Sequence, residues 1–280
     1  MNVEAAVDTF TEVMLNFYEE TASLYDDWAG GVNRKAAARL ADLAAVRPDE
    51  VAIDAGCGTG LVTRMLRMDR TKGGRALGVD ISPAMLDVAE ANRPRGAALT
   101  FTQGTVEDLV VAEASVDVVI LGLVLAYTAD PEAVLQEARR VLKPGGRIAV
   151  SGQQRSLMTA VDEVFFAELL DVASTFGIPR RRDEHGMLGE PWMLRGLLEE
   201  AGFVDVRTSN MLVGNHTEDA RSFIDLMRYE GPWPHAVIHL MGPGARARLE
   251  KRLTGTVRFS KEDGRFIYHR PFSFAVGRKV

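Results

Sequence analysis

Between residues 51 and 151 the sequence alternates short apolar segments with segments that carry helix-start signals. Two of these signals are Ser82-Pro83 and Asp130-Pro131, where a capping side chain precedes a proline suited to the first helical position. The predicted strands span residues 51–53, 75–79, 99–103, 116–123 and 147–151. Strands that alternate with helices in this way form a parallel sheet with helices on both faces, so the chain is predicted to have an α/β fold.

The regions on either side complete this organisation. Residues 1–47 are predicted to form an N-terminal helical lid with a break at Gly30-Gly31, residues 48–152 the ligand-binding core, and residues 153–280 the rest of the sheet with helical inserts. Strands predicted at 204–211 and 266–276 are separated by a connection of about fifty residues, which is unusually long and contains helices predicted at 218–229 and 245–253. Such inserts often cover a site on a rigid sheet, so we expect a substrate cap within one structural domain.

Composition excludes several classes of protein. The net charge is −6, whereas a domain that grips nucleic acid usually carries a basic face. No segment approaches the roughly 18 apolar residues of a membrane span, and the start of the chain lacks a signal peptide pattern. The single cysteine, Cys57, excludes an internal disulfide and a cysteine-built zinc site. We expect a cytoplasmic protein without nucleic-acid or membrane partners, for which a homodimer is an open alternative.

A glycine-rich turn between two acids follows the first predicted strand. Gly56, Gly58 and Gly60 let the backbone approach a ligand without a Cβ atom in the way. Asp54 precedes the turn, and Asp80 ends the next strand, where an acid can accept bonds from both ribose hydroxyls. A helix is predicted to begin at residue 61 and to direct its N-terminal N–H groups at an anionic group of the ligand.

A dinucleotide is a poor match to this turn. The dinucleotide fingerprint requires a third glycine three positions after Gly58, where this chain has Leu61. Asp54 would also repel a pyrophosphate, whereas a ligand with an amino group and a sulfonium tolerates a nearby carboxylate. A nicotinamide-dependent oxidoreductase is therefore a weaker interpretation.

The motifs resemble those of class I S-adenosylmethionine-dependent methyltransferases. Residues 54–60, Asp-Ala-Gly-Cys-Gly-Thr-Gly, resemble motif I, and residues 78–86 resemble motif II. Residues 104–109 resemble the segment beside the adenine, and residues 123–127 and 142–146 resemble later motifs of the ubiquinone/menaquinone-methyltransferase-like branch. The match is close over about residues 48–152. It implies a Rossmann-like sheet of seven strands, the last of them antiparallel.

The resemblance also implies which residues bind S-adenosylmethionine. Those implied at its methionyl end are Asp54, Gly56, Cys57, Gly58, Leu121 and Leu123. Those implied around the ribose and adenine are Asp80, Ile81, Met85, Thr105, Val106 and Glu107. Tyr25, in the N-terminal region, is expected to close over the cofactor. Cys57 is interpreted as a small residue of the tight loop rather than as a nucleophile.

Two departures from the family pattern narrow the acceptor. Relatives often have a histidine after the fourth strand, where this chain has Ala126, so no role is carried over from that histidine. Residues 121–124, Leu-Gly-Leu-Val, replace the Asn/Asp-Pro-Pro-Tyr tetrad of enzymes that methylate nucleobase or glutamine nitrogens. The sequence therefore favours a small-molecule acceptor over DNA or a protein amide.

Candidate catalytic residues follow from the chemistry of methyl transfer. In-line displacement needs alignment of the two reactants, which contributes about 7–11 kcal/mol, and a hydroxyl acceptor also gains from a base. Tyr127 follows the fourth strand, near the expected methyl group, while His235 and His216 are the candidate bases in the insert region. His235 follows Pro-Trp-Pro at 232–234, which is predicted to be a rigid aromatic loop suited to a flat substrate. No sequence feature requires a metal.

The sequence therefore predicts an S-adenosylmethionine-dependent methyltransferase that methylates oxygen, nitrogen or carbon of a small molecule. Quinone-like compounds and secondary metabolites are the acceptors considered. The alternative is a protein of the same fold that binds the cofactor but catalyses a non-methylating reaction such as a cyclisation. A macromolecule methyltransferase is disfavoured by the acidic charge.

Overall fold

The computed structural model describes residues 3–157, 159–178, 187–257, 261–262 and 265–280. The strands in these ranges are β1 (Val51–Ala55), β2 (Arg75–Asp80), β3 (Leu99–Gln103), β4 (Val116–Gly122), β5 (Leu142–Gln153), β6 (Phe203–Thr217), β7 (Lys261–Glu262) and β8 (Arg265–Lys279). They form one sheet in the order β3-β2-β1-β4-β5-β8-β6, with β7 paired to β8.

The strand order creates a crevice at the centre of the sheet. Strands β1 to β5 pair in parallel, whereas β8 is antiparallel to both β5 and β6. Because β2 and β3 lie on one side of β1 and β4 and β5 on the other, the order reverses between β1 and β4. Ligands of open α/β sheets bind at the carboxyl ends of the strands at such a point. The predicted seven-stranded, mostly parallel sheet is confirmed, with the two-residue β7 added at its edge.

Helices cover both faces of the sheet. They are α1 (Val3–Thr21), α2 (Trp28–Ala44), α3 (Pro83–Ala91), α4 (Pro131–Val141), α5 (Ala160–Thr175), α6 (Pro191–Glu200), α7 (Ala220–Met227), α8 (Pro232–Leu240) and α9 (Pro243–Val257). Along β4, Val118 and Ile120 pack in the apolar cluster of α2, while Val119 and Leu121 pack in that of α4 and α6. The sheet is therefore buried on both sides, as expected for parallel strands.

A third apolar cluster lies in the region predicted to cover the site. It joins α5, α7, α8 and α9, which we call the cap helices. The ring centroid of Phe223 lies 5.7 Å from that of Phe165 and 5.4 Å from that of Tyr268, in edge-to-face contact. Tyr268 belongs to the part of β8 that extends past β5 and pairs with β6. The helices predicted at 218–229 and 245–253 are confirmed as α7 and α9.

The capping and breaking signals read from the sequence are present. Ser82 accepts a bond from the Met85 amide, and Asp130 accepts one from the Ala133 amide, so both predicted helix starts are confirmed. The break at Gly30-Gly31 is confirmed by three successive positive φ values, 52°, 66° and 74°, over residues 29–31.

Two local predictions were wrong. The helix expected from residue 61 is a turn followed by the single 3₁₀ turn Thr63–Met65. The physical reason is that the Thr63 amide donates to the Asp54 side chain, and Leu66 has extended dihedrals. Residues 232–234, Pro-Trp-Pro, were expected to form a rigid loop but are the first turn of α8, where proline fits because its missing N–H has no helical partner.

Candidate functional site

The turn after β1 requires its glycines. Gly56, Gly58 and Gly60 have φ values of 74°, 53° and 72°, which L residues with side chains rarely adopt. A Cβ atom on Gly56 would lie 2.4 Å from Cγ2 of Val124. A Cβ atom on Gly58 would meet only Sδ of Met85, at 3.9 Å, so the space above Gly58 is open. A ligand can therefore approach the backbone closely at Gly58.

Asp54 is a buried carboxylate at the base of this turn. It is 1% exposed, and its Oδ2 accepts bonds from the Thr63 amide at 3.0 Å and the Thr63 hydroxyl at 2.5 Å. Burial raises its pKa to about 6, and the nearby charge of Asp80 adds to the increase. A positively charged ligand group beside Asp54 would relieve this unfavourable environment.

Asp80 ties the end of β2 to the glycine turn. Its two carboxylate oxygens accept bonds from the Gly58 amide at 2.7 Å and the Ser82 amide at 2.9 Å. Burial raises its pKa. Burial also raises the pKa of the Cys57 thiol, so this thiol stays protonated at neutral pH. A protonated thiol is a poor nucleophile, which agrees with the interpretation of Cys57 as a small residue of the tight loop.

The segment after α1 is bonded to the glycine turn through residues that the sequence did not single out. The Asp26 carboxylate accepts bonds from the Thr59 hydroxyl at 2.5 Å and from Arg64 Nη2 at 2.7 Å. Next to Asp26, burial raises the pKa of the Tyr25 phenol, and Tyr127, Asp26, Asp80 and Asp54 add to the increase. The N-terminal segment is therefore attached to the glycine turn beside Tyr25.

Two cavities meet at this point. The smaller, of about 50 Å³, lies against the glycine turn and is bordered by Asp54, Gly56, Cys57 and Gly58. The larger, of about 430 Å³, lies between the sheet, the N-terminal segment and the cap helices. The residues that line both cavities are Tyr25, Asn33, Leu123 and Ser151. A ligand at the glycine turn would therefore face a ligand in the larger cavity.

Leu123 stands at this junction in a strained conformation. Its φ is 61°, in the left-handed region that is costly for a branched side chain. Its amide donates to the carbonyl oxygen of Ser151 at 3.1 Å and to the Ser151 hydroxyl at 3.2 Å. These bonds fix the backbone at the end of β4, so the strained residue Leu123 lies between the two cavities.

The larger cavity has aromatic walls and a polar side. Its aromatic lining residues are Phe17, Tyr18, Tyr25, Trp28, Tyr127, Phe166, Tyr229 and Trp233. Its polar lining residues are Asn33, Ser151, Gln153, Gln154, Arg155 and Glu230. Aromatic walls with a few convergent polar groups are typical of small-molecule sites.

The polar side rests on a buried charge network. Glu230 Oε1 accepts a bond from Gln153 at 3.1 Å and lies 3.1 Å from Arg270 Nε. Arg270, only 2% exposed, also donates to Asp162 at 2.9 Å. Burial raises the pKa of Glu230 even though Arg270 pulls it down. The single positive charge of Arg270 is therefore shared by two buried carboxylates, and nothing local in the sequence indicated this network.

The implied adenine and ribose residues lie at the ends of β2 and β3. Met85 is buried, Ile81 and Val106 are half-buried, and Thr105 and Glu107 are exposed. Asp80 joins this group to the glycine turn.

One implied cofactor residue has a different role. Leu121 is fully buried in the cluster of α4 and α6 and lines neither cavity, because alternation along β4 points it away from the crevice. Gly122 and Leu123 border the smaller cavity in its place.

The three candidate catalytic residues are not brought together. Tyr127 lines the larger cavity. His216 is exposed on β6 and is not among the lining residues, so the structure adds no support to the prediction that it is a base. His235 is buried between α1 and α8 and is also not a lining residue, because its ring packs against Phe17 with centroids 5.2 Å apart. Burial lowers the pKa of His235. Since neither histidine reaches the cavity, Tyr127 is the one candidate left there.

Comparison with known proteins identifies the core. Residues 53–150 match a family model described as a methyltransferase domain. This segment of the chain is similar to methyltransferase domains. The matched segment runs from β1 through β5 and contains the glycine turn, Asp54 and Asp80.

Curated relatives share this methyltransferase domain. A malonyl-[acyl-carrier protein] O-methyltransferase of Serratia marcescens is 35% identical over 140 residues, which are 50% of this chain and 52% of the relative. A ubiquinone/menaquinone biosynthesis C-methyltransferase of Caulobacter sp. (strain K31) is 28% identical over 68% of this chain and 81% of the relative. The chain thus spans about half the length of the first of these relatives.

Solved structures share the fold. An S-adenosylmethionine-dependent methyltransferase from Thermotoga maritima superposes with a TM-score of 0.53 at 17% identity, covering 95% of this chain and all of that one. A Haemonchus contortus phosphoethanolamine N-methyltransferase superposes with a TM-score of 0.52 at 18% identity, covering 95% of this chain and 56% of the other. In the described part of this chain, no helix combines the length and apolarity needed to cross a membrane.

The residues of the methyltransferase domain fit S-adenosylmethionine, the cofactor of its class. Gly58 leaves open space at the backbone, and Asp54 and Asp80 offer carboxylates to an ammonium group and to ribose hydroxyls.

The helix N-terminus that was expected to face the cofactor is not present. The short 3₁₀ turn after Gly60 provides no α-helix N-terminus for the carboxylate of the cofactor. Asn33, which lines both cavities, is a side-chain donor that the sequence did not reveal.

The raised pKa of Asp54 predicts a pH dependence of cofactor binding. The pKa is about 6 in the folded protein, against 3.8 ordinarily, so Asp54 binds a proton that a cationic ligand must displace. Affinity for S-adenosylmethionine should therefore fall about tenfold per pH unit below pH 6 and level off above it. The measurement is calorimetric titration between pH 5 and pH 8.

The control for this prediction is Asp54→Asn, which cannot titrate. We expect weak binding with a nearly flat pH profile. The same pKa predicts that Asp54 lowers the free energy of unfolding as pH rises from about 4 to 6, since the folded state then holds a proton that the unfolded chain has released. A wild-type affinity that does not change across this window would contradict the assignment of Asp54 to the cationic end of the cofactor.

Proposed function

We propose that this protein transfers a methyl group from S-adenosylmethionine to a small molecule held in the larger cavity. The observation that carries the proposal is the shared border of the two cavities, formed by Tyr25, Asn33, Leu123 and Ser151. It brings a cofactor at the glycine turn and an acceptor under the cap helices to one junction. Such alignment is the main contribution that an enzyme makes to in-line displacement.

Each part of the site has a task in this reaction. When bound, S-adenosylmethionine supplies a methyl group on a positively charged sulfur. Asp54 and Asp80 hold the amino group and the ribose, and Tyr25 covers them from the N-terminal segment. The aromatic walls of the larger cavity exclude water from the acceptor. Tyr127 orients the acceptor through its hydroxyl group, at the border of the cavity.

The size and lining of the larger cavity support a small acceptor. A volume of about 430 Å³ falls in the range of small-molecule sites, and the aromatic side chains favour a flat or largely apolar compound. The named relatives include an O-methyltransferase and a C-methyltransferase, so we keep the proposal at methylation of oxygen, nitrogen or carbon. A net charge of −6 argues against nucleic acid as a partner, and a chain with the single cysteine Cys57 does not depend on internal disulfides, which fits a cytoplasmic location.

The test combines binding with a search for product. The protein is titrated calorimetrically with S-adenosylmethionine and S-adenosylhomocysteine, then incubated with S-adenosylmethionine and a panel of phenols, amines, quinols and carboxylic acids. We expect both ligands to bind and one class of acceptor to gain the mass of a methyl group. Binding accompanied by an isomerised, unmethylated product would favour the cyclase alternative. Failure to bind either ligand would overturn the proposal.

A further inference from the structure

A cluster of metal-ligating side chains lies outside the proposed cofactor and acceptor sites. Glu20 stands near the end of α1, and His235 and His239 stand on α8. One ligand atom from each of these three residues lies within 4.8 Å of the others. The cluster therefore joins the N-terminal helix to a cap helix.

The helix geometry favours joint binding by the two histidines. His235 and His239 are four residues apart, which places them on the same face of α8. Their ring centroids are 4.6 Å apart. Glu20 approaches from α1, and its Oε2 lies 3.2 Å from Nε2 of His235. Ligands about 2.0–2.1 Å from a tetrahedral zinc ion lie roughly 3.3 Å from one another, so this separation suits a shared cation.

The other ring nitrogen of His235 is also placed as in a metal-binding histidine. Nδ1 lies 3.3 Å from the carbonyl oxygen of Arg228. A backbone carbonyl that holds one ring nitrogen fixes the ring and leaves the lone pair of the other nitrogen for a metal. In His235 that second nitrogen is Nε2, which faces Glu20.

We propose that Glu20, His235 and His239 bind one divalent transition-metal cation of the zinc class. Two imidazoles and a carboxylate match the ligand preferences of zinc and leave a position for water. Glu20 and His239 are exposed, so a cation can enter from solvent without unfolding of the core. No local pattern in the sequence indicated this site, because α1 and α8 are more than two hundred residues apart in the chain.

A cation at this position would also affect the wall of the larger cavity. Phe17 and Tyr18 of α1 and Trp233 of α8 line that cavity, one helical turn or less from the proposed ligands. A cation that joins the two helices would fix these side chains relative to each other. We therefore assign the site to holding the cavity wall in place rather than to methyl transfer.

The test uses the full chain, freed of metal with a chelator. Cobalt(II) is added first, because its visible absorption reports tetrahedral coordination, and zinc is then titrated in competition. We expect one cobalt ion per chain, displacement by zinc, and a higher melting temperature with zinc. Glu20→Gln and His239→Ala should each weaken binding by at least roughly 10–100-fold, a loss that even the partners of metal ligands cause.

Two control variants change a glutamate and a histidine that are not proposed ligands. Glu19→Gln changes the exposed neighbour of Glu20 on α1, and His216→Ala removes an exposed histidine on β6. Both should bind cobalt like the wild type.

Absence of tetrahedral cobalt bands, or equal bands in the ligand and control variants, would overturn the proposal and leave a simple contact between Glu20 and His235. Circular dichroism checks the fold, and Glu20→Gln decides the matter if His239→Ala is unstable. The titrations contain neither cofactor nor acceptor, so they are independent of the proposed methyl transfer.

Discussion

Replacement of Asp80 by alanine is expected to weaken binding of S-adenosylmethionine about 100-fold. Two hydrogen bonds from ribose hydroxyls to a carboxylate contribute about 3 kcal/mol together, which corresponds to roughly that factor. The substitution also removes the acceptor of the Gly58 amide, whose bond of 2.7 Å shapes the glycine turn. Calorimetric titration of both variants with S-adenosylhomocysteine and S-adenosylmethionine measures the effect.

Two further variants separate ligand binding from general damage. Asp87→Ala removes an acid from the exposed side of α3, so it changes the net charge equally and should leave affinity within about twofold. Asp80→Asn keeps one carbonyl oxygen and should lose less affinity than Asp80→Ala. If Asp80→Ala binds both ligands like the wild type while remaining folded, Asp80 does not bind the ribose.

Replacement of Arg270 by methionine should reduce the free energy of unfolding by about 3–5 kcal/mol, the loss found when one partner of a buried ion pair is removed. Arg270 is 2% exposed and lies between the carboxylates of Asp162 and Glu230. Without its charge, these two acids remain buried near each other. Denaturant unfolding followed by circular dichroism measures the change.

The control lies on the same strand. Arg278 is 60% exposed and is 3.6 Å from Asp205, so Arg278→Met should cost no more than about 1 kcal/mol. A second test adds Asp162→Asn to Arg270→Met, which removes one uncompensated charge and should recover part of the lost stability. If Arg270→Met were as stable as Arg278→Met, the buried network would not stabilise the cap region.

The sequence predicted the features that local patterns encode. The alternation of strands and helices led to the correct sheet, because apolar periodicity reports burial on each face. The acids and glycines around residues 54–60 could be recognised because they lie close together in the chain. Glycines are needed in this turn because its residues at 56, 58 and 60 have positive φ values. The caps at Ser82 and Asp130 are equally local, since each bond spans three residues.

Features that depend on distant contacts could not be predicted. Arg270 and Asp162 are 108 residues apart, and Asp26 and Arg64 are 38 apart, so no spacing rule relates them. Leu121 was assigned to the cofactor because its motif was matched, but the direction of a side chain on β4 depends on register. His235 was chosen because it follows Pro-Trp-Pro at 232–234, but in the structure its ring packs against Phe17 of the distant helix α1.

The attachment of Asp26 to Thr59 and Arg64 couples the N-terminal segment to the glycine turn. Tyr25 precedes Asp26 in the chain and lines both cavities. A movement of this segment would therefore alter the cofactor side and the acceptor side of the site together. Where such a movement is slower than methyl transfer, a rapid first turnover followed by a slower phase would be its kinetic signature.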